Sequence, residues 1–217
     1  MEFSDESRLL VEHWEAYKDV IEAYEALEER ELPAILDEVI EEIEEASWLG
    51  DWHIKRVNSE KFYLMRNEWI VEGDEVLKIG VAKFDPDHVF DTERSHPELR
   101  GRMSNSYPDL PERLLAELEE RDAVLGVVDT RYRVRDWISE KVQKCPPDSL
   151  DGYAEAAKKQ MIEFLRHYAE VLPELDDIVQ EEISTASDSG RRAIKLSREA
   201  PSHFTMRCPI LYSAVAP

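Results

Sequence analysis

The spacing of apolar residues changes twice along this chain, and those changes restrict it to few architectures. Between Leu10 and Ile43 they recur at three- and four-residue steps: Leu10, Trp14, Tyr17, Ile21 and Tyr24, then Leu32, Ile35, Leu36, Val39, Ile40 and Ile43. Such steps put them on one face of a helix. From Trp52 to Phe84 the helical step is lost, and short apolar runs are cut by turn residues, as in strands. After Pro146-Pro147 it returns, with Tyr153, Ala157, Met161, Phe164, Leu165 and Tyr168 facing in. The order is helices, strands, helices, without a helix between successive strands. It argues for an α+β fold over a doubly wound parallel sheet. The expected architecture is two N-terminal helices, an antiparallel sheet of three to five strands, and C-terminal helices.

Local signals set the boundaries. Ser4 or Asp5 can cap the first helix. Pro33 opens the second, where a missing N–H costs nothing, and Gly50 lies just past its end. Strands are expected over Trp52–Val57 and Phe62–Ile70, joined by Asn58-Ser59-Glu60, and over Val76–Phe84 after the turn Glu72-Gly73-Asp74. This three-stranded meander should pack its aromatic face on the first helices, and Asp85-Pro86-Asp87 should close it. Residues 85–110 read as a polar loop, and Pro111 as the start of a short helix. Ala123–Val128 reads as a fourth strand, continued over 130–134, and Trp137–Val142 fits strand and helix alike. A helix is expected from Asp148 to Val171, then a shorter acidic one ending near Ser184.

Charge narrows the function classes. Carboxylates outnumber cations 49 to 27, a formal −22 over 217 residues. That sign excludes a general nucleic-acid coat or a membrane-surface protein, since both face phosphate with positive charge. No apolar run approaches the roughly 18 residues of a membrane span. The opening Met-Glu-Phe-Ser-Asp-Glu lacks the basic-then-apolar order of a secretory signal. Cys145 and Cys208 sit beside prolines without metal-ligand spacing, so a cytoplasmic setting is expected, or a virion if the chain is virus-encoded. Three origins of the acidity stay open: adaptation to high salt, solvated helix faces, and mimicry of DNA. Ten lysines against 17 arginines, beside so many carboxylates, fit salt adaptation best. The charge is also uneven. Residues 1–185 carry a net −25 and residues 186–217 a net +3. An acidic α+β domain over 1–185 is therefore expected, with a basic tail over 186–217 docked on it or on a partner.

Two constellations could carry chemistry. Asp85, Asp87, His88 and Asp91 put hard oxygen ligands and an imidazole in one short stretch, a set that suits a divalent ion. The stretch lacks an EF-hand's sixth-position glycine and twelfth-position glutamate; Phe90 and His96 stand there. A solvated acidic loop is the alternative. The second is Arg131, Arg133 and Arg135, which face one way in an extended chain while Tyr132 and Val134 face the other. With Lys55, Arg56 and Trp69 of the aromatic hairpin they make a candidate patch for nucleic acid or a partner. The alternative is that these cations pair with the abundant carboxylates. No G-x-S-x-G, Walker A, G-x-G-x-x-G or H-E-x-x-H occurs, so no catalytic residue is assigned.

The stretch WHIKRVNSEKFYLMRNEWIVEGDEVLKIGVAKFDP, residues 52–86, set within about residues 8–180, resembles the accessory region that follows the core in proteins of the PD-(D/E)XK nuclease superfamily. The likeness is one of paired helices, an aromatic-rich meander and a final helix. The nuclease motif is absent: none of the ten lysines has an acidic residue two positions before it. The resemblance therefore implies an accessory part without a catalytic core and transfers no site residue.

The expected function is a non-enzymatic interaction module of a salt-adapted prokaryote or its virus. It would contact a protein partner, a second copy, or nucleic acid through a local basic patch, and no membrane. The alternatives are a metal-dependent hydrolase built on residues 85–96 and an acidic DNA-mimic inhibitor. No cofactor is expected beyond a divalent metal in that loop.

Overall fold

The structure is a computed structural model, and it describes residues 4–91, 93–125, 136–146 and 150–186. Ser4 caps the first helix, α1 (Asp5–Glu12), its hydroxyl accepting the Ser7 N–H at 3.2 Å. One residue, His13, at φ −112° and ψ 28°, separates α1 from α2 (Trp14–Ala26). The helix does not stop at Ala26. It passes through a five-residue π turn, Leu27–Glu31, into α3 (Leu32–Glu45), and the flanking residues keep helical dihedrals. Pro33 accounts for the turn. In an unbroken α-helix its ring would strike the Glu29 carbonyl and leave that oxygen without a donor. The wider spacing, with the Leu32 N–H bonded to the Leu27 carbonyl, relieves that conflict.

The helix thus runs through Pro33 rather than starting there, which corrects the sequence expectation. The π turn also inserts one residue into the apolar repeat. Tyr24 is followed on the stripe by Leu32 after eight positions instead of seven, so the stripe stays continuous along the whole helix. On α3 it is buried: Leu32, Leu36, Val39 and Ile43 are core residues.

Among the described residues seven strands follow: β1 (Trp52–Asn58), β2 (Lys61–Arg66), β3 (Ile70–Val71), β4 (Asp74–Glu75), β5 (Leu77–Ala82), β6 (Glu98–Met103) and β7 (Asp136–Lys141). Five form one antiparallel sheet in the order β1-β2-β5-β6-β7, and β3–β4 is a small separate hairpin between β2 and β5. Its two turn residues, Glu72 and Gly73, both have positive φ (51° and 85°), as a two-residue type I′ turn requires. The strand expected to reach Ile70 ends at Arg66, where a 3₁₀ turn, Asn67–Trp69, drives Trp69 into the core.

Residues 85–110 are not one loop. Asp85 caps a short helix, α4 (Pro86–Phe90), and β6 lies beyond it, paired with β5 on one side and β7 on the other. Leu99, Gly101 and Met103 are buried in β6 and alternate with Glu98, Arg100 and Arg102. Three charged residues and a glycine in six positions hid that alternation. Residues 123–125 are not strand, and the remainder of that expected strand lies outside the described residues.

The helix α5 (Leu110–Glu120) precedes β7. The long α6 (Leu150–Val171) leads through a 3₁₀ turn, Leu172–Leu175, into a last helix, α7 (176–186). One sheet face, with Trp52, Phe62, Leu64, Leu77, Ile79, Val81, Leu99 and Ile138, joins α3 and α6 in one apolar core. From α6 come Tyr153, Ala157, Met161, Phe164, Leu165 and Tyr168, all six of the positions expected to face in. Two tryptophans tie sheet to helices. The Trp52 indole N–H donates to the Ala169 carbonyl at 3.1 Å, and that of Trp69 to the Asp176 carboxylate at 2.7 Å. Among the described residues no helix is long and apolar enough to cross a membrane.

Candidate interaction surface

Only α3 of the N-terminal helices covers the sheet. No residue of α2 is buried, which corrects the expectation that the first helix packs against the meander. Ten large apolar side chains are exposed among the described residues, and eight of them lie on one arm: Leu9, Leu10, Val11, Trp14, Tyr17, Val20, Ile21 and Tyr24. Val11 keeps 73% of its surface, Val20 64%, Trp14 50% and Ile21 47%. A soluble monomer seldom leaves a contiguous apolar patch beyond a few hundred Å². The arm meets the body at Tyr24, whose hydroxyl donates to the Asp87 carboxylate at 3.0 Å. That hydrogen bond to a carboxylate, with burial behind it, raises the Tyr24 pKa.

The arm's charges are sorted. Leu10, Trp14, Tyr17, Ile21 and Tyr24 are spaced 4-3-4-3, the step of a helix–helix seam. At 100° per residue along α2, Glu15, Asp19 and Glu22 fall on the opposite side, and Glu12 precedes them on α1. Val11 and Val20 flank the seam, with Lys18 and Glu25 beside them. Lys18 pairs with Glu22 at 3.6 Å along the outer face. The seam is therefore apolar along its centre, with Glu25 at its edge and Glu15, Asp19 and Glu22 on its back. The seam's aromatics are Trp and Tyr, but Trp52, Trp69, Tyr153 and Tyr168 are core residues of the same chain, so residue type alone does not separate seam from core.

The residues singled out for binding are dispersed. Arg131, Arg133 and Arg135 lie outside the described residues. Lys55, on β1, donates to Glu75, which also accepts from Lys78. Burial pushes the Glu75 carboxyl up, but the two lysines outweigh it and hold the pKa below 4.5. Arg56 lies 3.3 Å from Asp37 of α3 and donates to the Ser59 carbonyl at 3.1 Å. Trp69 is wholly buried and packs edge-on against Trp52, with centroids 5.2 Å apart. It presents no ring face for a base to stack on.

The acidic stretch does not converge either. Asp85 is held at the N-terminus of α4, accepting the His88 N–H at 3.0 Å and lying 2.7 Å from the His88 ring nitrogen. Asp87 points to Tyr24, with Arg94 3.9 Å away. Asp91 accepts the Glu93 N–H at 2.8 Å. Among the described residues no three His, Cys, Asp or Glu side chains converge closely enough to hold a metal ion. A cleft of about 440 Å³ lies at the turn before β5, lined by Asp74, Glu75, Lys78, Arg102, Ser104 and Ser106. Its polar groups largely satisfy one another: both serine hydroxyls donate to Asp74, and Lys78 to Glu75.

Comparison of the chain with family models, with curated proteins and with solved structures gives no match.

Proposed function

We propose that this chain is a non-enzymatic interaction module that contacts a protein helix through the apolar face of α1 and α2. The observation that supports this is the run of eight exposed apolar side chains on an arm with no buried residue in α2. A protein helix suits the seam because the 4-3-4-3 step admits knobs-into-holes packing, and Trp and Tyr are enriched at protein contacts. Protein is favoured over nucleic acid because Lys55 and Arg56, two cations of the anticipated basic patch, are already engaged by Glu75 and Asp37.

The test is affinity capture of the tagged full-length chain from its native lysate, with nuclease treatment, beside the Ile21→Glu variant. The expected result is a nuclease-resistant protein recovered by the parent and lost, at least tenfold, by the variant. Nucleic acid as the sole recovery, or a protein retained equally by both, would overturn the assignment to the arm.

A further inference from the structure

We infer that the occupant of the arm is a second copy of this chain, so that the protein pairs through the α1–α2 seam. The inference rests on the interaction reading above and names its partner. Two observations carry it.

The first is area. The seam-side residues Leu10, Val11, Trp14, Tyr17, Val20, Ile21 and Tyr24 leave exposed a surface on the order of 600–700 Å². A standard stable interface needs about 800 Å² from each partner, and pairing would also cover the backbone and flanks beside these side chains.

The second is self-complementarity. A two-fold interface brings the same patch together from both sides, so a patch with a net charge on its contact face meets its own repulsion. Here the carboxylates Glu15, Asp19 and Glu22 lie on the back of the helix. The flanks are Val11 and Val20, with one cation, Lys18, and one anion, Glu25. Two seams can therefore meet with no net charge on the contact, one cation and one anion coming from each flank, although each chain carries −22 overall.

The rival occupant within the chain is residues 187–217, which carry a net +3 and include the apolar run Pro209 to Val215. Removal of those residues distinguishes that cover from a second copy.

Self-pairing has a salt signature that a basic partner cannot share. Screening shortens from about 10 Å at 0.1 M to about 3 Å at 1 M, so repulsion between two −22 chains falls and pairing tightens as salt rises. A complex held by opposite charge would weaken over the same range.

The experiment is sedimentation of the full-length chain over a roughly hundredfold dilution series in potassium chloride at about 0.1 M and about 1 M. The expected result is a monomer–dimer equilibrium that tightens at least tenfold at the higher salt. Ile21→Glu and Trp14→Ala should each weaken it at least tenfold, and Glu22→Gln on the back of the helix should leave it intact. The near-ultraviolet signal of buried Trp52 and Trp69 reports that the variants remain folded. Three results overturn the inference: a monomer throughout, a dimer indifferent to Ile21→Glu and Trp14→Ala, or pairing that begins only after residues 187–217 are removed. A monomer whose capture of a foreign protein is still lost in Ile21→Glu rejects self-pairing and keeps the arm as an interaction surface. A monomer whose capture is unaffected rejects both.

Discussion

Glu75 shows how one carboxylate can be useful in a molecule that has too many. It stands at the end of β4, between Lys55 of β1 and Lys78 of β5, and closes a short ion-pair network over that corner of the sheet. Its folded pKa lies below the ordinary value of 4.5 because the two ammonium groups outweigh the cost of burial. A group depressed in this way stabilises the fold above its unfolded pKa, and the contribution is lost as pH falls through the folded value. Glu75→Gln is expected to cost a few tenths to about 1 kcal/mol at neutral pH, the range for a partly exposed pair. The gap between parent and variant should close as pH drops below 4.5. Urea unfolding of both proteins from neutral to acid pH reads this directly. A gap that stayed constant would assign the side chain's role to packing rather than charge. None of this was visible from the sequence, because the network joins residues 20 apart whose meeting depends on the register of β1, β2 and β5.

At the scale of elements, legibility followed periodicity. The buried face of α6 could be read position by position, because an apolar residue every three or four places admits one solution when the helix lies across a sheet. β6 could not, since Glu98, Arg100 and Arg102 occupy every second position and only pairing with β5 and β7 reveals the strand. The arm shows a different limit. Periodicity identified its apolar face correctly, but a stripe says which residues face together, not what covers them. The body's core closes without α1 and α2, through α3, α6 and the sheet. Removal of residues 1–26 should therefore leave the body folded, with stability changed by less than about 1 kcal/mol at concentrations too low for association. Urea unfolding followed by tryptophan fluorescence tests this. A loss of several kcal/mol would mean that the arm supports the core after all.

For the whole molecule, no single contact explains the net −22. Several carboxylates are locally matched: Glu181 and Glu182 with Arg113, Glu174 with Arg121, and Glu38 with Lys158. These pairs join separate elements, α5 to α7, α5 to the turn after α6, and α3 to α6, so they oppose the general repulsion where helices meet. Exposed pairs of this kind contribute at most about 1 kcal/mol each, and they cannot cancel an excess of 22 charges. The surplus must act as a compressed self-repulsion in the folded state, relieved on unfolding as the charges separate. Salt that screens this repulsion should stabilise the fold even though it weakens the individual pairs. The thermal midpoint is thus expected to rise by several degrees between about 0.05 M and about 1 M potassium chloride, most steeply at the low end where the screening length changes fastest. Scanning calorimetry of the Ile21→Glu variant, in which the proposed pairing would be weakened, isolates the effect. A midpoint that fell or stayed level would show that the local pairs outweigh the surplus. The acidity would then be a property of the helix faces, not a stress that salt relieves.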